Sequence, residues 1–472
     1  MTAETTKMQV STGGQRAAAL ILLSFVHFML VLDDSVVNVA LATVRDDLGF
    51  GTAGLAWVVN AYFLAFGALM PVGGRAADLL GRRAVFLAGV ALFGAASLVC
   101  GLAQEPWQLI GGRFAQGAGA ALASPAALSL VALLYPGPGE RARAMGVWGS
   151  VAALGGTTGL VVSGVVTDLL SWRWVFLVNV PIAAVVLVLA PRLLPRSAAV
   201  RRGRIDVPGA VLGTAALLAL VHGLLQGAEA GWGPGALVPL LLTPVLVAAF
   251  VAVERRTAEP LVPPGFLAVR VRAVATVASL LFTAAFFAMS FLVMLHLQNV
   301  LGYEPLAAGL AYLPYAAGVL TGVRISAWAV ARYGVRAPLA VSFAVSAAGL
   351  LLLSGISPDS GYTAGVAPGV LLAALGAGLG FPALAVAAVA GSTEEDAGLA
   401  SALLGSVQQI GGAVGIAALV GIAAAHGGPA GGDGGSAEGA TDGFALAMRV
   451  AAGALAAGAV LVAVLMPRGR TA

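Results

Sequence analysis

The stretch Leu32-Asp33-Asp34-Ser35-Val36-Val37-Asn38-Val39-Ala40-Leu41 decides how the rest of the chain is read. It lies in the second half of an apolar run that starts near Ala17 and is long enough to cross a bilayer. Two adjacent carboxylates and an amide interrupt that run. One charged residue at the centre of a membrane helix costs roughly 2.5–3.5 kcal/mol on insertion scales. An intramembrane acid therefore reads as a functional group, and the rest of the chain is expected to build a cavity around it.

The totals support a lipid environment. Of 472 residues, 60% are apolar and only 10% are charged, against roughly 25% charged in a soluble domain. Mean hydropathy is +0.97. The net charge of +4 comes almost entirely from Arg, with Lys7 the sole lysine. There is no basic-aromatic interleaving of the nucleic-acid-binding kind, so no nucleic-acid partner is expected. The single cysteine, Cys100, excludes an internal disulfide and a multi-Cys metal site. Lys7 and Arg16 before an apolar run, with Ala40-Leu41-Ala42 after it, have the outline of a signal peptide. The further spans that follow, and the acids inside the supposed apolar core, argue against that reading.

Runs of about 18–25 apolar residues mark fourteen spans, with cores near 17–41, 53–72, 84–103, 107–134, 142–166, 173–190, 207–226, 236–253, 273–298, 307–330, 338–355, 363–390, 397–424 and 443–466. With the N-terminus inside, 20 of the 25 basic residues fall in inner loops and tails, including Arg75, Arg82, Arg83, Arg141, Arg143, Arg255, Arg256 and Arg336. The outer loops hold only Arg45 and Arg173, while Arg113, Arg324 and Arg449 fall inside spans. This asymmetry is the positive-inside rule. It predicts an even number of spans and both termini in the cytoplasm. The Gly-rich stretch from Gly427 to Asp442, with Asp433 and Glu438, reads as a flexible outer loop.

Between the second and third spans lies Gly74-Arg75-Ala76-Ala77-Asp78-Leu79-Leu80-Gly81-Arg82-Arg83. Its glycines allow a tight turn, and Asp78 can cap the next helix or pair with an arginine. The stretch resembles the loop signature of the major facilitator superfamily, G-x-x-x-D-x-x-G-R-[RK], with a weaker echo at Arg332-Tyr333-Gly334-Val335-Arg336. Leu109-x-x-x-Arg113-x-x-Gln116-Gly117-x-Gly119 is similar to the family's fourth-helix motif. An embedded guanidinium needs a carboxylate or carbonyls; Arg113 either snorkels to a helix end or, as the motif implies, faces inward near the span-one acids.

In span five, Gly155, Gly159 and Ser163 form a small-residue ladder, followed by Gly164. The stretch resembles the antiporter motif G-x-x-x-G-P-x-x-G-G of drug exporters, with Leu160 where that motif has Pro and Ser163 where it has Gly. A plain packing helix is the other reading. Trp57-Val58-Val59-Asn60-Ala61-Tyr62, Trp172-Arg173-Trp174-Val175-Phe176-Leu177-Val178-Asn179-Val180-Pro181 and Ala400 to Gly412, which contains Gln409, look like the fourteen-span drug:proton antiporter branch. So does the opening stretch, in which Asp33 takes the family's acidic position.

The resemblance implies an all-α, polytopic major-facilitator fold: two pseudo-symmetric six-helix bundles, at 1–191 and 261–472, with two extra central helices at 192–260. It implies a monomeric, proton-driven exporter in the cytoplasmic membrane, with no cofactor, whose cargo is a small hydrophobic or cationic drug or antibiotic. A buried carboxylate favours its neutral form and a nearby cation favours its charged form, so an acid held between the two can load and release a proton. The rival readings are an uptake symporter on the same fold and a non-transporting membrane sensor. No phosphate loop or nucleophile-base set suggests an enzyme. An Arg-rich, Lys-poor composition suggests a GC-rich bacterium, where exporters of self-made antibiotics are common in this branch.

Histidines in spans can relay protons or simply hydrogen-bond; His222 and His296 read as packing, whereas His27 is better placed. At about 100° per residue, Asp34 shares a face with His27 and Asn38, and Asp33 points away from it. Helical geometry alone thus selects Asp34 as part of a polar stripe, whereas the family pattern selects Asp33. Asp33 is taken as the coupling acid, with Asp34 and His27 as a second station or a cavity-mouth pair, and Asn38, Gln116, Gly117 and Gln409 as cavity or packing residues.

Overall fold

In a computed structural model, residues 13–195, 203–262, 265–358, 360–390, 394–427 and 437–467 are described, and all regular structure among them is helical. The helices are α1 (Gly13–Leu48), α2 (Thr52–Leu80), α3 (Arg82–Gly101), α4 (Pro106–Leu134), α5 (Pro138–Leu169), α6 (Trp174–Leu177), α7 (Asn179–Leu193), α8 (Val207–Ala230), α9 (Pro234–Glu254), α10 (Arg270–Asn299), α11 (Pro305–Leu310), α12 (Leu313–Tyr333), α13 (Arg336–Leu353), α14 (Ala367–Ala388), α15 (Glu394–Gly427) and α16 (Ala437–Leu465). Helices α6 and α7 form one span, as do α11 and α12, and a short π-helical turn, Tyr362–Val366, leads into α14. The result is 14 membrane-length apolar helices among the described residues, so the chain is a multi-pass membrane protein, and this even number of crossings puts Gly13 and Leu465 on one side. Lys7, Arg196, Arg201, Arg202, Arg468 and Arg470 lie outside the described residues.

Two expected loops turn out to be helix. The stretch from Gly74 is not a loop: α2 continues through Asp78 to Leu80, and Gly81 alone, at φ +93°, makes the turn into α3. Apolar runs end where lipid ends, but backbone hydrogen bonds continue into water, so polar residues extend the helix. No side chain caps α3, so the expected role of Asp78 as its cap is not fulfilled. Arg82 instead donates to the Ser129 carbonyl at 3.4 Å, Arg83 donates to the Leu194 carbonyl at 3.1 Å, and Arg75 pairs with Glu259. At the echo of this motif Gly334 has φ +72° and Arg336 donates to the Ala463 carbonyl. Thus Gly81 and Arg83 match Gly334 and Arg336, each arginine tying its half's third span to its last. Because a Cβ is strongly disfavoured at the Gly81 dihedrals, Gly81→Ala is expected to cost on the order of 1–3 kcal/mol, read as a lower thermal midpoint in detergent.

The outer loop after Gly427 is also shorter than expected. Helix α16 begins at Ala437, so Glu438 and Asp442 are helical, while Asp433 lies outside the described residues. Arg45 and Arg173 likewise sit at helix ends rather than in open loops. Asp47, near the end of α1, accepts from Trp172 Nε1 at 3.0 Å and from Arg173 at 2.6 Å.

The spans pack through glycines at which a side chain would strike neighbouring backbone. Gly89 meets Gly119 between α3 and α4, and Gly349 meets Gly369 between α13 and α14. Helix α8 packs on α2 and α15, and α9 on α8. At the end of the bundle away from the termini, the Gln298 amide donates to the Val39 carbonyl at 2.8 Å and Arg45 donates to Asn299 at 3.2 Å. Gly164 and Gly309 there let α5 and α11 touch backbone to backbone. At the other end Arg143, Met145, Val147, Gly149 and Ser150 of α5 are exposed, as are Thr321, Val323, Arg324 and Ile325 of α12. Close contacts between the halves thus seal the bundle at the end away from the termini.

Candidate functional site

Asp33 is fully buried at the middle of α1 and is the centre of a polar network drawn from five helices. Its Oδ2 accepts from Arg113 Nη1 of α4 at 2.5 Å. Its Oδ1 accepts from Gln116 Nε2 at 3.1 Å and from Asn179 Nδ2 of α7 at 2.8 Å. Arg113, 1% exposed, also donates to the Val58 carbonyl of α2 at 3.1 Å and to Gln116 Oε1 at 2.9 Å. Gln116 donates in turn to Ser97 Oγ of α3 at 2.7 Å, and the Ser97 hydroxyl donates to the Phe93 carbonyl at 2.8 Å. The guanidinium lies 4.4 Å from the Tyr62 ring centroid, within cation–π range.

Small residues make this arrangement possible. A side chain on Gly117 would strike the Tyr62 carbonyl, and one on Gly112 would lie 2.6 Å from Cys100 Sγ. With both absent, α4 closes on α2 and α3, and the arms of Arg113 and Gln116 reach Asp33 directly. A buried ion pair is stabilising only when its remaining donors and acceptors are satisfied. Here both carboxylate oxygens are used, and the guanidinium has a carboxylate, a backbone carbonyl and an amide oxygen. The Cys100 thiol contributes a further donor, 3.5 Å from Gln116 Oε1.

Asp34 points elsewhere. It is partly buried, and its Oδ1 has no hydrogen-bond partner. Asn38 Oδ1 and His27 Nδ1, on the same face of α1, are also unpartnered. The His27 ring stacks on Trp148 of α5, 4.1 Å between centroids and 13° between planes. The two neighbouring acids therefore stand in different surroundings: Asp33 inside the closed network, Asp34 on a polar stripe outside it.

The other residues singled out in the sequence are spread through the bundle. Gly155 approaches the Phe28 carbonyl and Gly159 approaches Ser35, both on α1, whereas Gly164 faces Pro305 and Leu306 of α11. Gln409 packs beside Gly67 on the α2–α15 contact, where Ser406 donates to the Gly67 carbonyl at 2.5 Å. Gly74, Asp78, Gly81, Arg82 and Arg83 lie at the α2–α3 turn, at the end of the bundle that carries the termini and away from Asp33. His296 is buried beside Phe444, and His222 is exposed near Trp57. Sequence reasoning did not assign Asn179, Ser97 or Tyr62 to the site. Asn179 and Tyr62 do stand in stretches matching the antiporter branch, and that was the signal available for them. Among the described residues no cluster of three metal-ligating side chains occurs.

The family described as Major Facilitator Superfamily matches residues 23–416. Over 424 residues the chain is 42% identical to a cephamycin export protein, CmcT, of Amycolatopsis lactamdurans, covering 89% of this chain and 86% of that protein. It is 39% identical to a puromycin resistance protein, pur8, of Streptomyces alboniger, covering 95% and 90%. Among solved structures, a bacterial homologue of the human lysosomal transporter Spinster, inward-facing and unoccupied, has the same fold, with a TM-score of 0.66, 17% identity, and 96% and 98% of the two chains covered.

Proposed function

The chain belongs to the Major Facilitator Superfamily, and from that premise we propose that it exports a small hydrophobic or cationic antibiotic across the cytoplasmic membrane, driven by protons, and protects the cell that makes the compound. It is a transporter rather than an enzyme, acts as a monomer, and holds both termini in the cytoplasm, as the distribution of its arginines suggests. Direction and cargo rest on the export and resistance roles named for the two relatives.

Coupling rests on one observation: a carboxylate with no solvent exposure is held by a single guanidinium within a membrane span. A proton delivered to Asp33 removes the anion that Arg113 pairs with. The freed positive charge then disfavours a cationic cargo in the same patch, so proton binding and cargo binding become alternatives, and proton entry drives cargo release. Rocking of residues 1–191 against 261–472 would open each side in turn, with 192–260 carried between them. In this scheme the sealed end faces outward and cargo is taken up from the end that carries the termini.

The test is transport in proteoliposomes under an imposed pH gradient. Drug movement is expected to follow the gradient and to stop when a protonophore is added. Efflux indifferent to the gradient would remove proton coupling. A susceptibility panel in a drug-hypersensitive host decides separately whether the chain exports drugs at all.

A further inference from the structure

The two additional helices carry acids that the transport scheme leaves unused. Asp206 precedes α8 and caps it, its Oδ1 accepting from the Gly209 amide at 2.9 Å. Glu254 is the last residue of α9. Its Oε1 accepts from the Leu261 amide at 3.3 Å and its Oε2 from the Val262 amide at 2.9 Å. The two residues are only 6% and 5% exposed. Gly209 lets them meet: a Cβ there would lie 2.5 Å from Asp206 Oδ2 and 2.7 Å from Glu254 Oε1, so these two oxygens converge on one point. Asp206 Oδ2 has no donor. Among the described residues neither carboxyl has an ion-pair partner.

Two carboxylates in contact away from water cannot both stay charged without a cation. Of the charged groups at this end, Arg204, Arg255 and Arg256 are exposed, Asp78 is half-buried on α2, and Arg75 is taken by Glu259. The one that acts on Glu254 is Asp206, through a hydrogen bond and through its charge. A single proton between the converging oxygens removes one charge and gives Asp206 Oδ2 its missing donor. The helix ends say where it sits. Asp206 stands at the positive end of α8, which favours its anion, and Glu254 at the negative end of α9, which disfavours one. The proton is therefore on Glu254 Oε1 and is donated to Asp206 Oδ2.

We propose that Asp206 and Glu254 form a second proton site, separate from Asp33, whose shared proton fastens the connection between α9 and α10 to the start of α8. That connection carries Glu259, which pairs with Arg75 near the α2–α3 turn and accepts from the Arg204 amide at 3.1 Å. When the proton leaves to solvent, two anions remain in contact and must part. Leu261 and Val262, bonded to Glu254, shift with it, and the hold of Glu259 on Arg75 loosens. The site lies at the end that carries the termini, so on the export reading it answers to cytoplasmic pH, and an alkaline cytoplasm releases the connection.

Infrared difference spectroscopy on the purified full-length protein in nanodiscs detects the proton. A protonated-carboxyl band present in the wild type at neutral pH is expected to be missing from Asp206→Asn and from Glu254→Gln, and to be kept by Glu259→Gln. Each amide at 206 or 254 puts a hydrogen permanently between the two side chains, and Asp206→Asn keeps the cap on α8, so these variants are expected to fold. Leu261→Cys, with Cys100 replaced by Ser, reports on the connection. Above the pH at which the band disappears, maleimide labelling at 261 is expected to be about tenfold or more slower with Asp206→Asn than without it, the equivalent of 1.4 kcal/mol. Below that pH the two rates are expected to be equal; comparison at one pH cancels the titration of the thiol itself. Glu259→Gln is expected to speed labelling by roughly 2–5-fold at either pH, for an ion pair of about 0.5–1 kcal/mol. A carboxyl band unchanged in both amide variants, or labelling at 261 that Asp206→Asn alters at no pH, overturns the proposal. Neither measurement involves transport, so the export reading is judged separately by the susceptibility panel.

Discussion

Asp33→Asn is expected to abolish gradient-driven efflux and to destabilise the protein by about 3–5 kcal/mol, the usual cost of leaving one member of a buried ion pair without its partner. The amide that replaces the carboxylate keeps one acceptor oxygen for Gln116 or Asn179, but it cannot balance the guanidinium, which is 1% exposed. Arg113 would keep the Val58 carbonyl and Gln116 Oε1, so the network should loosen rather than disappear. Arg113→Lys is expected to fail too, because an ammonium cannot span Asp33, Val58 and Gln116 as the planar fork does. The double variant Asp33→Asn, Arg113→Gln removes both charges and is expected to regain much of the stability and none of the coupled transport. Unfolding in detergent and proteoliposome efflux, measured on the same preparations, separate these two effects. Full gradient-driven efflux from Asp33→Asn would move the coupling role to another group, with Asp34 first in line.

The limits of the sequence can be seen at this same pair of residues. The fourteen spans were legible because lipid demands about twenty apolar residues per crossing, a signal carried by each segment on its own. Helix ends were less so: α2 runs past its apolar core to Leu80 and α16 starts at Ala437, because backbone hydrogen bonds do not stop where hydropathy does. The helical wheel placed His27, Asp34 and Asn38 on one face of α1, and in the structure each of them has an unpartnered polar atom. The company of Asp33 could not be derived in that way. Ser97, Gln116 and Asn179 belong to three other helices, and their convergence depends on the close approach allowed at Gly112 and Gly117. Spacing within a segment carries no information about which face of a distant helix it will meet. The different surroundings of two adjacent aspartates therefore emerge only once the helices are packed.

Gly164→Val is expected to leave the fold intact and to block transport by holding apart the sealed end of the bundle. A Cβ at Gly164 would lie 2.8 Å from the Pro305 carbonyl oxygen and 2.9 Å from Leu306 Cα. These neighbours are backbone atoms and cannot rotate away. Gly309, from the opposite side, would place a Cβ 2.6 Å from the Leu160 carbonyl, so the seam has no slack in either direction. Ser163, one residue earlier, donates to the Val36 carbonyl at 2.5 Å and fixes the rotation of α5 against α1. Relief must therefore come from separation of α5 and α11. Overpacking of a tight contact typically costs about 1–3 kcal/mol, which shifts a two-state balance by roughly 5–150-fold. The penalty falls on the state closed at this end and spares a state in which the seam is parted, so it changes populations more than stability. Asn38→Cys reports the change, in a background where Cys100, the one native cysteine, is replaced by Ser. In the reporter protein alone, an impermeant maleimide applied from outside is expected to react slowly at position 38. Adding Gly164→Val should speed that reaction, and Gly164→Ala should give a smaller increase. Equal labelling in all three proteins, with transport retained, would mean that the seam between α5 and α11 is not the gate.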